Sequence, residues 1–405
     1  MLKRNYADYV YFLDEESAGE REEELSLKSR KLWGRENSSL IIPKVQKGLV
    51  VSAFEKELTV SSNMPVTQEL KEHEILVRNK YIGLNHVDWK SKKYQFNIYS
   101  FPWINGRESS GIVVKRGSNV DQEKFPLAAE VFLASTSYRD LRTSTFQEYT
   151  VFDSRLVWRI PQQNLLDGSV RKSFGLEFAG GIGVGLVTAG CAISSLVSLA
   201  TENQTNGTKL GNIIIWGGSS SVGVYAIQLA KASGKFKKII AVSSTKHKKY
   251  LSEIGASCVI DRYLPEMEIR QKIQDHCPEG VNYGMDVISK ETALFLSKLL
   301  GQSDASVKRL VCTCGLPEIS TDTFDKDAGS KLIIEAVNIK QFHENIEFGS
   351  WLVEYTTKLF ETGHLRPIKT LKIFKSLNDF GESIVSGLKE LEEKGASAEK
   401  FIVSL

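Results

Sequence analysis

The amino-acid sequence predicts an α/β chain of two unlike parts: a small barrel or sandwich of short strands, then a doubly wound parallel sheet flanked by helices. Three observations carry this expectation. From Lys44 to Pro161 short runs rich in Val, Ile and aromatics are separated by Gly, Asn, Asp or Pro. From about Asp167 the rhythm changes to strands alternating with helical stretches, the pattern of a parallel sheet. At Trp216 a continuous apolar strand ends in the turn GGSSSVG, and helical spacing follows at once. A length of 405 residues suits two or three domains.

The elements follow in order. The stretch 1–43 reads as a charged extension: Asp14–Glu24 holds seven acids and one arginine, and Lys28–Arg35 is basic. A solvated tail is the simpler reading of such a segment. Within 44–172, strands are expected at Gly48–Phe54, Glu74–Ile82, Gly111–Lys115, Glu130–Ala134 and Phe146–Val151. Within 173–335, a Gly- and Ala-rich helix covers Phe174–Leu199, and Asn212–Trp216 is a buried strand. Next come a helix at Val224–Ser233, a strand at Lys238–Ser243 and a helix at Lys246–Gly255. Cys258–Asp261, Gly284–Ser289 and Arg309–Thr313 are further strands. The tail, 336–405, carries helices near Phe348–Thr362 and Leu377–Lys394 and a last strand at Lys400–Leu405.

Composition narrows the function. Apolar residues make up 41% and charged residues 25%, as in an ordinary globular protein. A net charge of +3 gives no reason to expect nucleic acid as a partner. Five cysteines do not make a disulfide framework, and no secretory leader is evident, so a reducing, cytoplasmic setting is expected. No run of about 18 uninterrupted apolar residues suggests a transmembrane segment. The partner expected is a hydrophobic small molecule, and the protein should be a monomer or homodimer.

The turn after Trp216 is the strongest local signal. A helix that starts directly after a tight glycine turn offers free N–H groups and a positive dipole end to a pyrophosphate. Gly217 and Gly218 permit close backbone approach, Gly223 lets the helix pack on the sheet, and Ser219, Ser220 and Ser221 can donate to phosphate oxygens. The next strand ends AVSSTKHKK, without the acid that would hold a ribose 2′-hydroxyl. Ser243, Ser244 and Lys246 can instead bind a 2′-phosphate, which points to NADPH.

Three further segments support a resemblance. YIGLNHVDWK (Tyr81–Lys90), GRESSG (Gly106–Gly111) and EIGASCVID (Glu253–Asp261) resemble segments of the medium-chain dehydrogenase/reductase superfamily, in order, over roughly Lys44–Leu405. The closest likeness is to its zinc-free quinone-oxidoreductase-like and fungal enoyl-reductase-like branch. That resemblance implies a GroES-like barrel-type catalytic domain, a Rossmann domain and a C-terminal return to the first. It adds Val87, Asp88, Val222, Tyr263, Gly315 and Lys400 as positions beside the cofactor. In the family's alcohol dehydrogenases a Cys and a His stand where this chain has Asn85 and Arg107. Neither is a credible zinc ligand, so no metal is expected. Local departures are Ala128-Ala129 for Gly-Asp, Ser220 for a glycine, and Arg262 before Tyr263.

Without zinc, the implied reaction is hydride delivery to an activated double bond or a quinone. Asn85 is the expected donor to the developing oxyanion. Tyr94 is the expected proton donor, with Tyr99 and Lys90 as alternatives, and Glu108 is expected to be buried and paired. The alternative reading is a pseudoenzyme that binds NADPH and acts as a scaffold or regulator.

Overall fold

The structure, a computed structural model, describes residues 9–12, 41–136, 139–161, 174–197, 209–303, 305, 307–318, 332–375 and 379–405. The charged stretches Asp14–Glu24 and Lys28–Arg35, the boundary near Asp167 and the expected helix ends Leu199 and Leu377 lie outside these residues.

The first lobe holds strands β1 (Tyr9–Phe12), β2 (Val45–Val51), β3 (Thr59–Pro65), β4 (Glu74–Gly83), β5 (Trp103–Ile104), β6 (Glu108–Arg116), β7 (Glu130–Ala134), β8 (Tyr149–Asp153) and β9 (Trp158–Arg159). The second holds β10 (Gly211–Trp216), β11 (Phe236–Ser243), β12 (Cys258–Asp261), β13 (Tyr283–Asp286), β14 (Lys308–Cys312) and β15 (Leu332–Ala336). The chain then returns with β16 (Thr370–Lys375) and β17 (Glu399–Ser404).

In the first lobe an eight-stranded sheet runs β1-β16-β17-β4-β6-β7-β9, with β8 on β4. Its centre is the antiparallel pairing of β4 with β6, whose apolar side chains Ile75, Val77 and Val113 are fully buried. A smaller sheet, β3-β2-β5, closes the other side. Because β17 pairs antiparallel with β4, the last strand of the chain is built into the first lobe. Residues 9–12, within the stretch read as a tail, pair antiparallel with β16.

The second lobe is a parallel sheet in the order β12-β11-β10-β13-β14-β15. Strand order reverses between β10 and β13, and in such sheets the ligand crevice lies outside the carboxyl ends of the strands at that point. The Gly- and Ala-rich stretch forms two helices, Leu176–Ala179 and Gly183–Leu196, where one was expected. Glycine is needed between them. A Cβ on Gly180 would lie 2.9 Å from the Tyr81 Cβ, and one on Gly181 would lie 2.5 Å from the Lys400 Cγ. The helix Gly183–Leu196 packs on the helix Ser221–Ala232 and reaches β7 of the first lobe. A cleft is thereby formed between the lobes. Ala128, expected in place of glycine, adopts φ +65° in the turn before β7. Among the described residues no helix is long and apolar enough to cross a membrane.

Candidate active site

The helix His86–Lys93 follows β4 directly and carries the GLNHVDWK segment toward the second lobe. Asn85 caps it and is buried. The Asn85 Nδ2 donates to Glu108 Oε1 at 2.8 Å. The Lys400 ammonium donates to Asn85 Oδ1 at 2.8 Å and lies 2.5 Å from Glu108 Oε1. The other Glu108 oxygen accepts from the Val184 backbone N–H at 2.7 Å. Four segments distant in sequence are thus tied by one buried carboxylate, which is buried and paired as expected. Gly83 is required beside it, since a Cβ there would meet Glu108 Oε1 and the Gly180 carbonyl at 2.4 Å. Lys400, expected beside a cofactor, has its ammonium in this cluster.

Asp88 lies in the first turn of the helix and is 2% exposed. Its Oδ2 accepts from the Asn85 backbone N–H at 2.8 Å, while Oδ1 has no hydrogen-bond partner among the described residues. Burial pushes its carboxyl up to about 7, opposed by the nearby Arg107 guanidinium.

A cleft of about 190 Å³ opens between the lobes. Val87, Val184, Val187, Val337 and Ile339 give it an apolar wall, and Arg107, Ser135, Thr136, Thr188 and Thr313 supply its polar groups. Arg107 is only 2% exposed, so its charge sits at the base of an apolar site. Of the residues singled out in the sequence as cofactor contacts, Val87 lines this cleft. Tyr94 does not line it and is 60% exposed, as part of a surface cluster with Trp89 and Lys93. Lys90 faces the same Trp89 ring, 5.6 Å away. Tyr99 packs against Trp103 and under Arg139. Ser135, Thr136, Thr313, Val337 and Ile339 carried no motif, and the topology alone brings them together.

The glycine turn has the geometry of a phosphate cradle. Gly217 takes φ +90°, and a Cβ there would lie 2.6 Å from Val287 and Ile288 side chains across the switch point. A Cβ on Gly223 would lie 2.3 Å from the Gly217 carbonyl, so only glycine lets the turn fold onto its helix. Ser220 caps the helix Ser221–Ala232, accepting from the Gly223 N–H at 3.0 Å. Ser219 ties the turn to the residue before the last strand, its carbonyl accepting from the Ala398 N–H at 2.8 Å. Gly218 abuts Ala241, and Val222 is half-buried against the main core.

At the carboxyl end of β11, Ser243 is 1% exposed and its hydroxyl has no partner among the described residues. Ser244 is half-buried and Lys246 exposed. Tyr263 is 69% exposed, with the Arg262 guanidinium 4.6 Å from its ring centre. Arg262 therefore adds a cation to this end, which the sequence reading took only as an insertion. Gly315, at φ +99°, follows Thr313 at the cleft.

The donor set does not suit zinc. The Lys400 ammonium already balances Glu108 beside Asn85, Arg107 brings a second cation, and neither Asn nor Arg offers a soft anionic donor. Among the described residues, no three His, Cys, Asp or Glu side chains are grouped to hold a metal ion.

A barrel lobe and a doubly wound lobe with a cleft between them define a two-domain, dinucleotide-type protein. Residues 71–162 match the alcohol dehydrogenase GroES-like domain, and residues 221–301 match the zinc-binding dehydrogenase domain. An uncharacterized protein of Saccharomyces cerevisiae is 30% identical over 260 residues, which cover 62% of this chain and 66% of that one. A trans-enoyl reductase of Pyricularia oryzae is 26% identical over 362 residues, covering 86% and 95%. The quinone oxidoreductase of Pseudomonas syringae shares the fold at a TM-score of 0.67, with 16% identity over 89% of this chain and all of that one. The chain belongs to the medium-chain dehydrogenase/reductase superfamily, and its sequence likeness reaches fungal trans-enoyl reductases.

Proposed function

We propose that the protein is an NADPH-dependent reductase that delivers hydride to an activated carbon–carbon double bond or a quinone without zinc. The substrate is a hydrophobic enone, enoyl thioester or quinone. The observation that carries this reading is the interlobe cleft, apolar on its Val and Ile walls and charged only at the buried Arg107. A bound reduced nicotinamide supplies the hydride. Gly217, Gly218 and Ser219–Ser221 hold the pyrophosphate at the helix N-terminus. Ser243, Ser244 and Lys246, with Arg262, hold the 2′-phosphate. The orphaned Ser243 hydroxyl supports that assignment, because a buried polar group without a partner is costly unless a ligand completes it.

Arg107 donates to the substrate carbonyl oxygen as negative charge develops there. A guanidinium suits this task, since it stays protonated and its donors are fixed in a fork. Asn85, whose carboxamide is held by Glu108 and Lys400, positions the helix that carries Val87 rather than meeting substrate. NADPH oxidation against a panel of quinones and enones tests the reading. Arg107→Leu should lower turnover on the order of 10²–10³-fold with NADPH affinity nearly unchanged. Wild-type turnover in the Arg107→Leu variant would remove Arg107 from the site.

A further inference from the structure

We propose that the Thr136 hydroxyl is the proton donor of the reduction and that His343 supplies its proton. The inference rests on the reductase reading, which requires a proton to follow the hydride and leaves its source open.

The polar groups of the cleft differ in what their own protons do. Thr188 donates to the Val184 carbonyl at 2.7 Å. Ser135 pairs with Thr143 at 2.8 Å, and Thr143 donates onward to the Asp140 carbonyl. Among the described residues, the Thr313 hydroxyl reaches the Cys314 sulfur at 3.6 Å, a weak contact. Arg107 does not give up a proton. Thr136 is hydrogen-bonded to an imidazole, with its Oγ1 2.8 Å from His343 Nδ1. Thr136 is buried against the cleft, whereas His343 is half-buried and in reach of solvent. The next residue toward the core, Phe342, is fully buried and stacks on Trp158 at 5.5 Å, which fixes the short helix that carries the imidazole.

Hydride from the reduced nicotinamide cofactor adds to the β-carbon of the conjugated substrate, and the π pair moves toward the carbonyl oxygen that faces Arg107. The Thr136 O–H bond breaks as a C–H bond forms at the α-carbon. Thr136 Oγ1 takes a proton from His343 Nδ1, and the neutral imidazole regains one from solvent. The substrate gains hydride and proton, and the cofactor is oxidised by two electrons.

Burial holds the His343 imidazole below its ordinary value, with Lys340 lowering it and Glu344 raising it from its own helix. The helix Gly183–Leu196 packed beside it carries no charged side chain, and the helix that follows opens with Glu347. A depressed imidazole is the stronger acid, so turnover should fall as pH rises through a value below about 6.5.

The test uses the full chain and an enone from the panel. Thr136→Val should lower kcat about 10²-fold with KM and NADPH affinity nearly unchanged, and Thr136→Ser should keep most of the activity. His343→Gln should abolish the pH limb of kcat. As a half-buried position it carries the test if Thr136→Val fails to fold. Unchanged kcat and an unchanged pH profile in Thr136→Val and His343→Gln, on a substrate the wild type reduces, would overturn the relay and leave the reductase standing. No reduction of any panel substrate by the wild type would overturn both.

Discussion

Asp88 shows how much one buried side chain can weigh at the residue scale. Its folded-state carboxyl titrates near 7, above the unfolded value near 3.9, so the folded chain holds the extra proton between those values. Stability therefore falls as pH rises from about 4 to about 7, by on the order of 3–4 kcal/mol. Asp88→Asn keeps an acceptor for the Asn85 N–H and has no charge to desolvate. Melting curves across this range should show the variant gaining on the wild type as pH rises. Parallel curves would place the carboxyl in a better-solvated site. Lys246 carries the second residue-scale expectation. Lys246→Ala should weaken NADPH by about 1.5–3 kcal/mol and leave NADH nearly untouched, read by titration of both cofactors. Equal loss for both would refute a 2′-phosphate contact. The glycines and serines of the turn were legible in the sequence because their chemistry is local. The partners of Asn85 were not, since Lys400 lies 315 residues away and only the returning strand β17 brings it in. Arg107 was visible as a residue unsuited to zinc, but its place in the cleft depends on where the second lobe sits.

At the scale of elements, β10 to β14 were legible because burial leaves apolar runs such as Ile213–Ile215, whereas the parallel edge strand β15, half-exposed along its length, was not. Strands β3 and β16 were not read. TVSSNMP is half-exposed and polar, and TLKIFK takes its identity from β17 and β1 beside it. The helix His86–Lys93 was read as a family segment and not as a helix, because its HVDWKSKK sequence has little apolar periodicity. On the proposed function, the turn between β10 and the helix Ser221–Ala232 is the element that holds the cofactor. Gly223→Ala would force its Cβ to 2.3 Å from the Gly217 carbonyl, and backbone cannot yield as a side-chain tip does. The variant should lose NADPH binding by more than tenfold and melt earlier, by calorimetry with and without cofactor. Unaltered affinity would mean that the turn is not the cradle.

Across the whole molecule, the chain's last strand matters as much as its first. The Glu108 carboxylate joins β6, the turn after β4, the helix Gly183–Leu196 and β17 through Asn85, Val184 and Lys400. Removing the cation from such a site leaves a buried charge uncompensated, at a cost of about 3–5 kcal/mol. Lys400→Met should therefore destabilise both lobes together in denaturant. The two-lobe order was legible from the change of strand rhythm, whereas the lock between lobes was not, because no segment carries it alone. The central claim is that these lobes close a cleft in which hydride passes to a conjugated substrate without zinc. The most direct measurement is product analysis by mass spectrometry after reduction of a panel enone with 4,4-dideuterated NADPH, using chelator-treated protein. One deuterium is expected at the β-carbon, with turnover unaffected by the chelator. Tightly bound NADPH with no deuterated product, or turnover that returns only with added zinc, would contradict it.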